Sequence, residues 1–214
     1  MSDPAAFQEI EDAVRQDDLK IWWKRWGSWV IGGAVLVVVG VTALVGWRHY
    51  DANRRAAAGT AYSAALAMIG SDNAAARAVL DEQATNAPEP YRSLAALIAA
   101  QMRETPAEQV AALRELAPKL PSELADLALV IAGYRGVDAG KTEEMTGQLE
   151  TLAAGDRPFR VSAREVQAIV ATRKGETRRA RELWQEIAND RAGPAGAQQR
   201  AQIMLAFLGP AEAK

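Results

Sequence analysis

Residues 26–47 read WGSWVIGGAVLVVVGVTALVGW, 22 positions between Arg25 and Arg48 with no charge among them. The hydrocarbon core of a bilayer is roughly 30 Å thick, and about 20 apolar residues at about 1.5 Å rise each cross it. Ten of the positions are strongly apolar (Val30, Ile31, Val35, Leu36, Val37, Val38, Val39, Val41, Leu44 and Val45). At about −0.3 to −0.6 kcal/mol each, they contribute on the order of −3 to −6 kcal/mol to insertion. Trp26, Trp29 and Trp47 stand at the two ends, where amphipathic rings prefer the headgroup region. Lys20, Lys24 and Arg25 flank one side and Arg48, Arg54 and Arg55 the other. A buried core helix would be shorter or would carry a polar stripe, so the stretch reads as a transmembrane helix.

A cleavable signal has a basic start, an apolar run of about 7–15 residues and a small-residue cleavage site. Here the run is longer, follows the acidic residues Asp3, Glu9, Glu11, Asp12, Asp17 and Asp18, and leads into Trp47-Arg48-His49-Tyr50. The segment is expected to stay attached as an anchor. It divides the chain into an acidic tail (1–25), a span (26–47) and a domain (48–214). In the tail, Ser2-Asp3-Pro4 offers a helix N-cap followed by proline at the first helical position, and Phe7, Ile10 and Val14 form one apolar stripe. Such a helix either lies on the membrane surface or docks a partner. Lys and Arg within about 15 residues of the span number four before it (Arg15, Lys20, Lys24, Arg25) and three after it (Arg48, Arg54, Arg55). By the positive-inside rule that balance leans toward a cytoplasmic N-terminus.

From Arg48 onward there are 21 basic and 21 acidic residues. A neutral domain argues against nucleic acid, which favours a strongly basic one. The chain has no cysteine, which removes disulfides, thiol catalysis and cysteine-ligated metal sites. Alanine, leucine, glutamate, glutamine and arginine dominate, all good helix formers, and no run alternates in the manner of a strand. Pro88, Pro121, Pro158 and Pro194 are spaced 33, 37 and 36 residues apart, each ahead of an alanine- or leucine-rich stretch. Second helices follow turns at 70–73, 104–106, 136–140 and 174–176. Helix, turn, helix and break at this period mark a helical-pair repeat. The expected fold is all-α: a transmembrane helix followed by an α-α superhelix.

These units resemble degenerate tetratricopeptide repeats. The clearest runs from Ala168 to Pro194, with Ala168 and Ala180 at the small positions, Gly175-Glu176 at the turn and Trp184 at the aromatic position. Small residues let the paired helices approach closely, and the aromatic packs against the next pair. Ala76, Leu80 and Pro88 give a second match. In the middle units the stripe is carried by Val110, Leu113 and Leu116, then by Met145, Leu149 and Leu152. The whole layout, above all EIEDAVRQDDLKIWWKRWGSWVIGGAVLVVVGVTALVGWRHY (9–50) and more weakly AAAGTAYSAALAMI (56–69), resembles the ancillary SecYEG translocon subunit family of bacterial inner-membrane proteins. The resemblance implies a cytoplasmic N-terminus, a periplasmic repeat domain, and association with the translocon and with periplasmic folding factors.

The residues offer no catalytic, cofactor-binding or metal site. The sole histidine, His49, lies in the membrane-flanking WRHY. The carboxylate pairs Asp81-Glu82 and Glu143-Glu144 sit on helical stretches, where neighbours diverge by about 100° and face solvent. Gly32 and Gly33 are within the span and form no phosphate loop; Gly33 with Gly40, or Ser28 with Gly32, could meet another membrane helix. Charge is uneven. From Arg157 to Arg181 eight basic residues face two acidic ones, whereas from Glu104 to Glu150 nine acidic residues face four basic. Arg173, Lys174, Arg178, Arg179 and Arg181 form the densest cluster. Such a split suits solvated faces, a partner of opposite sign, or copies pairing head to tail. A non-enzymatic membrane-anchored adaptor accessory to protein export or periplasmic folding follows from this reading. An envelope-assembly or cell-division scaffold and a purely structural membrane-complex subunit are the alternatives.

Overall fold

The computed structural model describes residues 4–209, with side chains at Lys20 and from Trp22 onward. Among these residues it is all-helical, with no strand. The tail's cap, Ser2-Asp3, and its stripe, Phe7, Ile10 and Val14, fall outside the residues or side chains described. The elements are α1 (Pro4–Met68), α2 (Asn73–Asn86), α3 (Tyr91–Gln101), α4 (Pro106–Leu116), α5 (Ser122–Ala139), α6 (Thr146–Ala154), α7 (Arg160–Arg173), α8 (Thr177–Asn189) and α9 (Ala195–Phe207). Short 3₁₀ turns, Ala117–Lys119 and Glu143–Met145, precede α5 and α6. The chain forms two compact units, residues 1–54 and 55–214.

In the first unit α1 presents the valines, isoleucine and leucines of residues 30–45 outward, and the most apolar window has mean hydropathy 2.3 with none of it buried. A helix apolar on every side has no stable place in water. It is long and apolar enough to span a membrane.

In the second unit the end of α1 meets α2, where the Gln83 amide donates to the Ala58 carbonyl at 3.1 Å; α3 packs on α4, α5 on α6, α7 on α8 and α9 on α8, and α2 on α3, α4 on α5 and α6 on α7 join one pair to the next. Each pair has an apolar face too small to bury alone, and stacking makes the core continuous. Ala65, Leu80, Ala95 and Ala99 form the first cluster. The middle one gathers Val110, Leu113, Met145, Leu149, Leu152 and Val166. The last holds Ala168, Ala180, Leu183, Trp184 and Ile187. Small residues set the close approaches. A Cβ on Gly59 would lie 2.7 Å from the Tyr91 hydroxyl, so only glycine admits that ring beside α1.

Local signals explain the helix starts. The Asp72 carboxylate accepts from the Ala75 amide at 3.0 Å. Thr105 and Glu108 form a reciprocal capping box ahead of α4, with Pro106 at its first position. The sequence places a turn at 136–140, but α5 continues through Ala139 and ends only at Gly140, whose φ is +68°. Gly136 and Val137 are buried within the helix. Their packing outweighs the roughly 1 kcal/mol that glycine costs a helix interior, and Gly140 alone takes the left-handed conformation that stops it.

Candidate functional site

The α7–α8 hairpin carries the most strongly patterned sequence in the repeat domain. Ala168 and Ala180 are fully buried where the helices meet, and Trp184 is 2% exposed. Its Nε1–H donates to the Thr172 hydroxyl at 3.2 Å, and that hydroxyl donates to the Ala168 carbonyl at 2.7 Å. The indole is therefore packed and its polar edge satisfied. Gly175, with φ +74°, reverses the chain. The amides of Lys174 and Glu176 close the turn onto the carbonyls of Val170 and Ala171, each at 3.0 Å.

Around this hairpin the five clustered cations separate into two kinds. Three tie it to neighbouring elements. Arg173 donates to the Val137 carbonyl at 2.7 Å and lies 3.7 Å from Asp138. Lys174 meets Glu143 at 2.9 Å; the hydrogen bond and charge between them hold the Glu143 carboxyl below its ordinary range and raise the Lys174 ammonium. Arg181 donates to the carbonyls of Leu208, at 3.0 Å, and of Gly209. Arg178 and Arg179 differ: each reaches only Glu182 of its own helix, at 4.0 and 3.7 Å. The Arg178 side chain is 89% exposed.

Two clefts recur at corresponding places, each between the second helix of one pair and both helices of the next. The first, about 200 Å³, lies among α2, α3 and α4 over a floor of Ala84, Ala96, Ala99, Ala100 and Ala112. Ion pairs border it, Asp81 with Arg103 at 3.8 Å and Glu115 with Lys119 at 2.9 Å. The second, about 150 Å³, lies among α6, α7 and α8, with Leu149, Val170, Ala171 and Leu183 below and Lys174 and Arg179 at its rim. Each has room for a side chain of a bound segment. Among the described residues no group of three His, Asp or Glu could hold a metal ion.

The sequence reading missed a ladder of charge. Among the described residues six ion pairs join positions 30 to 35 apart: Arg114–Glu144, Asp126–Arg157, Asp138–Arg173, Glu143–Lys174, Arg160–Asp190 and Glu165–Arg200. That separation is close to the proline period, so the ladder stitches together the units from α4 to α9. Glu143 and Glu144 are exposed yet do not stand alone; they diverge to α7 and to α4. Three acids of the negative middle segment, Asp126, Asp138 and Glu143, are matched by three bases of the positive segment. Two rungs reach inward. Asp126 is buried 2.9 Å from Arg157. Buried Glu165 accepts from Arg200 at 2.6 and 2.8 Å. Beside it, burial and then the Glu165 charge push the Tyr134 hydroxyl well above its ordinary value. Opposite charges one repeat apart were the available signal.

Trp26, Trp29 and Trp47 stand exposed on α1, as do Trp22 and Trp23, whose rings are 6.2 Å apart. Trp47 neighbours Tyr50 at 6.3 Å, and the Arg54 guanidinium lies 5.9 Å from the Tyr50 ring.

The family model described as a tetratricopeptide repeat-like domain matches residues 20–209. No curated protein and no solved structure matches the chain.

Proposed function

The chain belongs to the tetratricopeptide repeat-like domain family, and on that premise we propose that it is a membrane-anchored, non-enzymatic adaptor accessory to protein export and periplasmic folding. Repeat domains of this kind suggest protein–protein interaction and are generally non-catalytic. The carrying observation is the join of an exposed apolar helix, long enough to span a bilayer, to a repeat domain with side-chain-sized clefts. An anchor concentrates such a surface around membrane machinery. The translocon as partner is supported by the resemblance of residues 9–50 to the ancillary SecYEG subunit family. The same resemblance and the four-to-three charge balance support a bacterial inner-membrane protein with residues 1–25 in the cytoplasm and 48–214 in the periplasm. Trp26, Trp29 and Trp47 serve as interface anchors in this reading.

Within the basic cluster, Arg178 and Arg179 are the candidate partner contacts, because their charge is the least committed inside the domain. Arg173, Lys174 and Arg181 flank them and supply field. An alkaline phosphatase fusion after Lys214 should be active and a cytoplasm-only fluorescent fusion dark; the opposite pattern would sink the export reading. Affinity purification from detergent-solubilised membranes should recover translocon subunits and periplasmic folding factors. Reversing Arg178 and Arg179 to glutamate should lower their yield, more so at low salt, where exposed charges are less screened. Recovery unchanged by the reversal would remove these two residues from the interface.

A further inference from the structure

Where α1 leaves its apolar stretch, three side chains line up on one face. Trp47, Tyr50 and Arg54 stand at i, i+3 and i+7, a spacing that sets helical residues one above another. All three are exposed, and they neighbour one another in series. The Trp47 and Tyr50 rings are 6.3 Å apart, and the Arg54 guanidinium lies over the Tyr50 ring at 5.9 Å. Side chains on a helix lean toward its N-terminus, which here is toward the apolar stretch. Arg54 reaches one turn in that direction. Its backbone is about 10 Å beyond Trp47 along the axis, but its charge is delivered at the level of Tyr50, about 5 Å beyond Trp47. The headgroup layer of a bilayer is about 5–8 Å deep on each side. With Trp47 at the boundary of the hydrocarbon, the guanidinium stands at the depth of the lipid phosphates.

We propose that this face binds the phosphate of an anionic phospholipid in the leaflet at the Trp47 end of the span, held by Arg54 and positioned by Tyr50 and Trp47. The inference rests on the reading of residues 26–47 as a membrane anchor, and it adds a lipid preference that anchoring does not require. A planar guanidinium offers paired N–H donors that match two phosphate oxygens. Held over a ring, it loses less conformational freedom on binding than a free arginine would. The lipid class follows from charge. The Tyr50 ring already faces a cation, so the ammonium of a zwitterionic headgroup meets Arg54 rather than an open aromatic surface. Residues 47–55 carry Arg48, Arg54 and Arg55 against Asp51 alone. A basic flank of this kind draws anionic headgroups, whose phosphate has no ammonium beside it. The occupant is therefore of the phosphatidylglycerol type rather than the phosphatidylcholine type. A residue at this depth meets headgroups whenever the helix is in a bilayer, so the lipid needs no separate encounter.

Native mass spectrometry of the full-length protein in detergent reads the bound lipid directly. Given equal amounts of dioleoyl-phosphatidylglycerol and dioleoyl-phosphatidylcholine, the protein should retain the first over the second by about fivefold or more, the worth of one basic residue at an anionic surface. Arg54→Gln should bring that ratio close to one. Tyr50→Leu, which keeps every charge, should do the same by releasing the guanidinium. Arg48→Gln removes a cation equally near the bilayer but on another face, and should leave most of the preference in place. A ratio close to one in the parent protein would overturn the proposal. So would equal losses from Arg48→Gln and Arg54→Gln, or a preference indifferent to Tyr50→Leu, since either would mean diffuse attraction to basic residues and no site. Retention in the membrane pellet after alkaline carbonate extraction is scored separately. Lost preference in a protein that stays in the pellet counts against the lipid site alone, whereas extraction of the parent protein counts against the anchor on which it rests.

Discussion

α8 and α9 are adjacent helices of 13 residues each, and they are held by different forces. α8 turns Ala180, Leu183, Trp184 and Ile187 into the core and leaves Arg178, Arg179, Glu182 and Glu186 in water. α9 buries only two alanines fully, is gripped through Arg200, Gln198 and the carbonyls that Arg181 reaches, and leaves Ile203 and Phe207 outside. Hydrophobic area fixes the first. The second rests on half-buried Met204, Leu205 and Leu208 against the same cluster and is positioned further by hydrogen bonds and one ion pair to a buried carboxylate. Apolar sequence is thus a poor guide to the core on α9, whose Ile203 and Phe207 are exposed among the described residues.

The sharpest way to break this comparison is to remove the α8 anchor. Trp184→Ala should cost about 3–5 kcal/mol, the range for truncating a buried aromatic. At about 2–4 °C per kcal/mol for a chain of this size, the melting midpoint in detergent should fall by about 6–20 °C. A shift of only a degree or two would mean that α8 is not held by its indole. Arg200→Ala comes next. It leaves the Glu165 carboxylate buried without its bidentate donor, at about 1–3 kcal/mol. Glu165→Gln on top of it should restore part of that loss, since the stranded charge is gone; no recovery would show that Arg200 acts through packing alone.

Phe207→Ala should change stability by no more than about 0.5 kcal/mol in dilute detergent, as at an exposed site. A melt lowered as far as that of the Trp184 variant would put Phe207 inside the core and erase the contrast. The smallest effect concerns Glu143, whose folded carboxyl is held below its ordinary value of 4.5 by Lys174. A depressed carboxyl contributes stability above its unfolded value and loses it as pH falls through the folded one. Glu143→Gln should therefore show a slightly smaller decline in melting midpoint between about pH 5 and pH 3 than the parent protein. An identical pH profile would mean that this rung of the ladder is worth nothing.

Contiguity and period decide how much of the molecule was readable in one dimension. The apolar helix of spanning length was legible because hydrophobic length is a local quantity, counted along the chain without knowing any neighbour. The α7–α8 hairpin was legible because Ala168, Ala180 and Trp184 recur at helical spacing around a glycine turn. The stripes Val110-Leu113-Leu116 and Met145-Leu149-Leu152 were legible for the same reason; five of the six side chains are buried, and Leu116 is half-buried against the middle cluster. The extent of α5 was not: local glycine preference pointed to a turn at Gly136, and burial of Val137 carried the helix onward.

The sequence by itself determined the class of the protein, an apolar helix of membrane-spanning length joined to neutral helical-pair repeats, because composition, length and periodicity are written in consecutive residues. Only the tertiary structure decided which charges are spent. Arg173, Lys174 and Arg181 stand with Arg178 and Arg179 in one run of sequence, yet the first three hold α5, the turn before α6 and the end of α9, while the last two face water. It decided likewise that Ile203 and Phe207 face outward although α9 is apolar enough to pass for core. Both outcomes depend on what lies across the gap between helices 30 or more residues apart, and a charge or a methyl group acquires its energetic meaning only from that neighbour.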